Sequence, residues 1–266
     1  MRDNINNYKY SILTYNVNNY EIVDEIENKK PHVEYVLVTD NPNLTSETWT
    51  IKYVYNHHPE DPFDLCYKIR FNPFDYVSCD IVMRIDGSMK IVGDTDFLID
   101  EFNKGNYDAS VMIHPGRNNL LDEYQTWVNV RAYNPQHANK ILKFVAQVYN
   151  YDAKEYKGLY QYNFMIQKNN KFNNLWNQLT LTTLKYLAEN GKQVERLDQT
   201  IGSMILNKYY SDSVNILPVT EDICNGNPFL WCSHGTDRPM KTSTKEERIE
   251  PYLFNKICTK IFPNDD

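Results

Sequence analysis

The stretch MRIDGSMKIVGDTDFLIDEF, Met83–Phe102, decides how the chain is read. Its first residues complete CDIVMRID, a segment apolar on both faces apart from Arg84, as a buried parallel strand should be. The strand runs into Asp86-Gly87-Ser88, a near miss to Asp-x-Asp. MKIV then reads as a short strand, and a literal Asp94-Thr95-Asp96 follows Gly93. Asp94 is expected as the N-cap of the helix TDFLIDEFNKG, which Gly105 stops. Strand, turn, short strand and helix in this order belong to an α/β fold.

Working outward, KYSILTYNV and VEYVLVTDNP read as strands that end in polar turns, and TWTIKYVYN as a third. DPFDLCYKIRFNPFDYV has helical apolar spacing at Leu65, Ile69 and Phe71, with Asp61 or Asp64 as cap. Downstream, YDASVMIHP reads as a strand, AYNPQHANKILKFVAQVYNY as an amphipathic helix and YQYNFMIQKN as a strand. KFNNLWNQLTLTTLKYLAEN and LDQTIGSMILNKY are helices, and VNILPV leads through an irregular loop to a C-terminal helix. Strands alternating with helices predict a mostly parallel central sheet flanked by helices in a single domain. Ligands of such a sheet bind beyond the carboxyl ends of the strands. That rule singles out Thr14 to Val17, Thr39 to Asn41, Asp86 to Ser88 and His114 to Arg117.

The totals narrow the partners. The 266 residues carry a net charge of −7, which argues against nucleic acid, since phosphate backbones call for clustered Lys and Arg. The tail KTSTKEERIE is mixed in sign and reads as a solvated face, with at most peripheral membrane contact. Five cysteines without a CxxC pair fit a reducing compartment, and no apolar stretch reaches the ~18 residues of a membrane span. A cytoplasmic location, at most at the inner face of the membrane, is expected. The 21 Tyr, 11 Phe and 4 Trp serve packing first; Trp127, Trp176 and Trp231 read as core rather than sugar platforms.

The two acidic motifs read differently. Asp94 and Asp96 open a helix, where carboxylates favour the dipole at about 0.5–2 kcal/mol each. Asp86 ends a buried strand and needs a partner, which a bound ligand or metal would supply, and Gly87 permits close approach to the backbone. Function is therefore expected at Asp86 and structure at Asp94 and Asp96.

At these residues the chain resembles retaining glycosyltransferases of family 8. Asp86-Gly87-Ser88 takes the place of that family's Asp-x-Asp, and Gly93-Asp94 that of its helix-opening Gly-Asp. YQYNFMIQKN, with Asn163, is similar to its Phe-Asn-x-Gly-x-Met-Leu strand; RLDQT carries its Asp-Gln pair at Asp198 and Gln199. CSHGTDRPM is similar to its His-x-x-Gly-x-x-Lys-Pro-Trp. A closer likeness is to bacterial and plant glycosyltransferase-like proteins once known only as a domain of unknown function. Their Trp-Ile-Asp-Gly, His-Pro-x-Arg and Arg-x-Asp-Gln appear here as MRIDG, HPGR and RLDQ, and the likeness spans roughly Tyr35 to Met240.

The resemblance implies a GT-A fold over residues 1–240, with 241–266 as a helix or tail packed on it. It implies transfer of a hexose from a UDP-sugar to a glycan, polysaccharide or lipid-linked acceptor, retaining if the family 8 chemistry holds. Thr14, Tyr15, Asn16 and Asp40 would line the nucleoside pocket. Asp86, Ser88, Lys68, Arg84, Arg117, Gly235 and Arg238 would complete the donor site, and Asn163, Asp198 and Gln199 would surround the point of attack. Asp86 and His234 are the expected Mn²⁺ or Mg²⁺ ligands. Yet Ser88 replaces the second Asp and Cys232 the usual His, so the cage is incomplete and Arg117, Arg238 or Lys68 would neutralise the diphosphate instead. The alternatives are a GT-A scaffold that binds without turnover and a nucleotidyltransferase on a similar sheet, the latter lacking its Gly-rich, Lys-containing loop.

Overall fold

The computed structural model describes residues 8–114, 117, 120–130, 134–150, 158–189, 197–209, 211–217 and 229–231. The described residues form two compact units. One takes in those up to Ile113, Gln161–Gln178 and those from Asp212 on; the other takes in His114–Tyr160 and Leu179–Ser211.

The first unit is built on an open sheet. Its strands are β1 (Tyr10–Asn16), β2 (Val33–Thr39), β3 (Thr50–Tyr53), β4 (Ile81–Ile85), β6 (Ala109–Ile113), β7 (Tyr160–Lys168) and β8 (Val214–Leu217), and the spatial order is β3-β2-β1-β4-β7-β6-β8. β1 pairs parallel with β2 and β4, β2 with β3, and β6 with β8. β7 runs antiparallel to β4, with Ile85 opposite Phe164. Every residue of β1 is buried, as the centre of a sheet covered on both faces requires.

The period-2 alternation of β1 sorts its side chains. Tyr10 and Ile12 join one core with Met83, Ile85, Phe164 and residues Leu98, Ile99 and Phe102 of α2 (Asp96–Lys104). Leu13 and Tyr15 join the other core, with Val82 and with Leu65 and Ile69 of α1 (Pro62–Phe71). Asp61 caps α1, its carboxylate accepting from Phe63 N at 3.1 Å, and Pro62 occupies the first turn where its missing N–H costs nothing. The N-cap of α2 is Thr95, one residue later than expected at Asp94, although Asp94 Oδ1 still accepts from Asp96 N at 2.7 Å. The short β5 (Met89–Ile91) pairs antiparallel with β9 (Phe229–Trp231), a strand within the stretch expected to be an irregular loop.

The second unit is helical. It holds α3 (Leu120–Gln125), which continues as a π-helical turn over Thr126–Val130, then α4 (Pro135–Tyr149), and α6 (Asp198–Tyr209). α5 (Lys171–Glu189) begins in the first unit and ends in this one. Asn134 caps α4 through Gln136 N and His137 N, and Asn150 ends it in the left-handed region at φ 47°. Trp127 and Trp176 are fully buried, as expected of packing residues. The C-terminal helix read from the sequence lies outside the described residues.

Candidate functional site

Strand order reverses direction at β1, with β2 on one side and β4 on the other, so the crevice between the carboxyl ends of β1 and β4 is where such a sheet takes a ligand. Tyr15 of β1 and Asp86, directly after β4, meet there. Tyr15 Oη lies 3.4 Å from Asp86 Oδ1, and Arg70, from the last turn of α1, reaches both. Its Nη2 stands 3.0 Å from Asp86 Oδ1 and its guanidinium carbon 5.7 Å from the Tyr15 ring centroid. Burial pushes the Tyr15 phenol far above its ordinary range, with Arg70 pulling the other way, so Tyr15 stays neutral and donates.

A second guanidinium lies beneath this pair. Arg84 is 1% exposed; its Nη1 donates to Tyr162 O at 3.0 Å and its guanidinium carbon sits 5.9 Å from the Tyr162 ring. No carboxylate ion-pairs with it among the described residues. Burial first, and then the neighbouring positive charge of Arg70, lower its pKa. Tyr15, Arg70 and Asp86 thus meet at the carboxyl ends of β1 and β4, with the buried guanidinium of Arg84 beneath them and the Glu21 side chain packed beside Gly87.

Asp86 is anchored through its backbone. Its N–H donates to Asn163 O of β7 at 2.8 Å, and its carbonyl accepts from Met89 N at 3.0 Å. Asn163 itself is 6% exposed, and neither its Oδ1 nor its Nδ2 has a hydrogen-bond partner among the described residues. Thr14 Oγ1 is also buried without one. Such groups are costly to leave unmet, at about 1–3 kcal/mol each, and mark where a polar ligand would be received. The close approach at Gly87 is made by the protein itself: an added Cβ would stand 3.0 Å from Tyr15 O and 3.1 Å from the Glu21 side chain.

The other residues expected in the nucleoside pocket organise the loop after β1. Asn16 exchanges hydrogen bonds with Glu21 through both side-chain atoms, at 2.8 and 3.1 Å. Asp40 accepts from Asn18 N at 2.8 Å and from Asn56 Nδ2 at 3.1 Å. Asn18 and Asn19 both take positive φ, at 55° and 51°, which the loop needs to turn back. Lys68 stands two positions from Arg70, on the opposite side of α1, and pairs with Asp64 at 2.5 Å. Ser88 is buried.

Asp94 and Asp96 sit at the other end of the sheet. Tyr10, the first residue of β1, donates to Asp96 Oδ1 at 2.8 Å and bonds Thr95 Oγ1 at 2.6 Å. Lys30 reaches Asp94 and lies 2.7 Å from Asp96 Oδ2, and His32 stands 3.0 Å from Asp96 Oδ1. Burial works to raise the Asp96 pKa, but the bonds from Lys30, His32 and Tyr10 outweigh it and hold the carboxyl well below the usual range. This literal Asp-x-Asp clamps α2 to the amino ends of β1 and β2, away from the crevice.

Among the described residues no three His, Cys, Asp or Glu come together as metal ligands. Gly235, Arg238, Cys232 and His234 lie outside them. The donors that are described do not fit a divalent cation: one oxygen of Asp86 already faces a guanidinium at 3.0 Å, and a Ser hydroxyl is a weak ligand beside it.

In the second unit, Arg117 ion-pairs with Glu123 at 3.0 Å and donates from Nε to His114 Nε2 at 3.1 Å. Thr200 Oγ1 donates to the other Glu123 oxygen at 2.7 Å. Glu123 is 1% exposed, so Arg117 meets the charge of a buried carboxylate. Asp198 and Gln199 open α6; Asp198 is buried, and Gln199 Oε1 has no hydrogen-bond partner among the described residues.

Arg70 is the residue the sequence reading missed. Its only sequence signal is a basic side chain bordering the apolar stripe of α1 in the last turn, next to Ile69. No family model matches this chain, and no curated protein matches it significantly.

Proposed function

We propose that the chain is a GT-A-type glycosyltransferase that moves a hexose from a nucleotide sugar, in the first instance a UDP-sugar, to a glycan or polysaccharide acceptor. The observation that carries this reading is the cluster at the strand-order reversal, where the Arg70 guanidinium bridges Tyr15 and Asp86 at the carboxyl ends of β1 and β4. A guanidinium binds a diphosphate through paired N–H donors, and Arg70 is the one that reaches the ends of both strands. Asp86, freed from part of its pairing, accepts hydroxyls of ribose or donor sugar. Asn163 offers the two unmet polar atoms beside it.

In the transfer, the acceptor hydroxyl oxygen bonds the anomeric carbon, the bond from that carbon to the diphosphate oxygen breaks, and the nucleoside diphosphate leaves with the electron pair and takes up the hydroxyl proton. Arg70 stabilises that leaving charge. Positioning and preorganised charge of this kind supply most of the barrier reduction in group transfer. The family 8 resemblance implies retention at the anomeric carbon, with the 1–240 segment as the catalytic domain.

Thermal shift with UDP-, GDP- and CDP-sugars, with and without Mn²⁺, tests the reading. A donor at 100 times its Kd stabilises by about 2.7 kcal/mol. A UDP-sugar is expected to raise Tm in the wild type and not in Asp86→Ala, with little added by Mn²⁺. No shift with any nucleotide sugar would overturn it. The closed Arg70–Asp86 pair also favours a second reading, a scaffold that binds donor without turnover; donor hydrolysis in the absence of acceptor separates the two.

A further inference from the structure

The run NNKFNNLWNQ, Asn169–Gln178, carries five Asn and one Gln in ten residues, and the fold divides them. Asn170 accepts from Asn173 N at 2.9 Å and donates to Asp108 Oδ1 at 2.6 Å. Asn173 donates to the carbonyls of Asp108 and Lys168 at 2.7 and 2.9 Å, and Asn177 accepts from Gln167 at 3.1 Å. These three hold the start of α5 to the sheet. The other three, Asn169, Asn174 and Gln178, are exposed and make no side-chain hydrogen bond among the described residues.

Those three line a cleft of about 380 Å³ whose opposite wall is the turn after α1, with Asn72, Phe74 and Asp75. Asn72 Nδ2 is used by Lys68 O at 2.8 Å, which leaves its Oδ1 for a ligand. No Lys or Arg lines the cleft, so it has nothing with which to hold a phosphate, and one exposed carboxylate is too little for a cation. Carboxamides each offer two donors and an acceptor, the complement of hydroxyl groups that both give and receive. Phe74 adds an apolar face for ring C–H groups. Asn174 and Gln178 stand four residues apart on one face of α5, at a spacing of about 5–6 Å.

We propose that this cleft is a binding subsite for a neutral oligosaccharide. Asn169 N donates to Asp80 O at 2.8 Å, which sets the cleft at the amino end of β4, about 20 Å along the strand from Asp86. It is an anchoring site, separate from the crevice, and does not depend on the catalytic reading above.

The test is an array of neutral oligosaccharides built of hexose and N-acetylhexosamine units, probed with the full chain, followed by titration of the best glycan. Wild type is expected to bind at least one of them, with affinity reduced tenfold or more in Asn174→Ala/Gln178→Ala. Both positions are exposed and Ala favours helix, so that variant keeps the fold, as circular dichroism would verify. Asp86→Ala is expected to bind the array as the wild type does. Absence of binding to every glycan, or binding that survives the double substitution or is lost in Asp86→Ala, overturns the proposal.

Discussion

Arg70 Nη2 stands 3.0 Å from Asp86 Oδ1 and also donates to the hydroxyl of Tyr15, so one guanidinium ties the end of α1 to the ends of β1 and β4. If that group also receives the diphosphate, Arg70→Met is expected to lower turnover of a UDP-sugar by at least tenfold, while Arg70→Lys, which keeps the charge without the fork, recovers part of it. Steady-state rates decide it. Equal activity in Arg70→Met and wild type would remove Arg70 from the mechanism.

Asn163 sets stability against ligand binding. Its buried, unmet amide costs the free protein about 1–3 kcal/mol. Asn163→Ala is therefore expected to leave the melting temperature of the free protein unchanged or higher, and to abolish the rise produced by a UDP-sugar. Calorimetry with and without donor measures both. A variant that melts lower yet keeps its ligand response would mean that Asn163 serves packing alone.

The clamp at the amino ends of β1 and β2 has a pH signature. Hydrogen bonds from Lys30, His32 and Tyr10 depress the Asp96 pKa in the folded state despite burial. Its contribution is then complete above the unfolded value of about 3.9 and fades as pH falls towards the folded pKa. Asp96→Asn is expected to lose on the order of 1 kcal/mol at neutral pH, after allowance for solvent screening, with the gap to wild type closing on acidification. Asp94→Ala, at a more exposed carboxylate, is expected to lose less and to retain donor binding. Urea melts from pH 7 to 3 would show it; loss of donor binding in either variant would return function to the literal Asp-x-Asp.

Arg117 and Glu123 make a sharper stability test. Removing the guanidinium strands a carboxylate that is 1% exposed, and breaking such a pair costs about 3–5 kcal/mol. Arg117→Met is expected to destabilise the free protein by that order in denaturant titration, with Arg117→Met/Glu123→Gln recovering part of the loss. Unchanged stability with weakened donor binding would place Arg117 in the donor site after all.

Much of the architecture can be read from residue order. Alternating strands and helices give an open α/β sheet, and the apolar run ending at Asp86 places that carboxylate at a strand end. Strand direction is another matter: YQYNFMIQKN has the same apolar content whether it runs with or against β4, and only long-range pairing makes it antiparallel. β9 is three residues long and α3 six, both too short for a period to register. The Arg70–Asp86 contact spans sixteen positions between a helix and a strand end, a distance at which local pattern is silent. Asp94 and Asp96, by contrast, could be set aside because a helix start explains them without any ligand.

The place of β6 in the spatial order bears on how the chain is made. Both of its neighbours, β7 and β8, come later in the sequence, whereas β1 to β4 find one another as they are synthesised. During translation the apolar strand ASVMI therefore emerges with both edges open and must wait for a distant segment to close them. A ribosome pausing between β6 and β7 would hold the nascent chain with that strand unpaired on both sides.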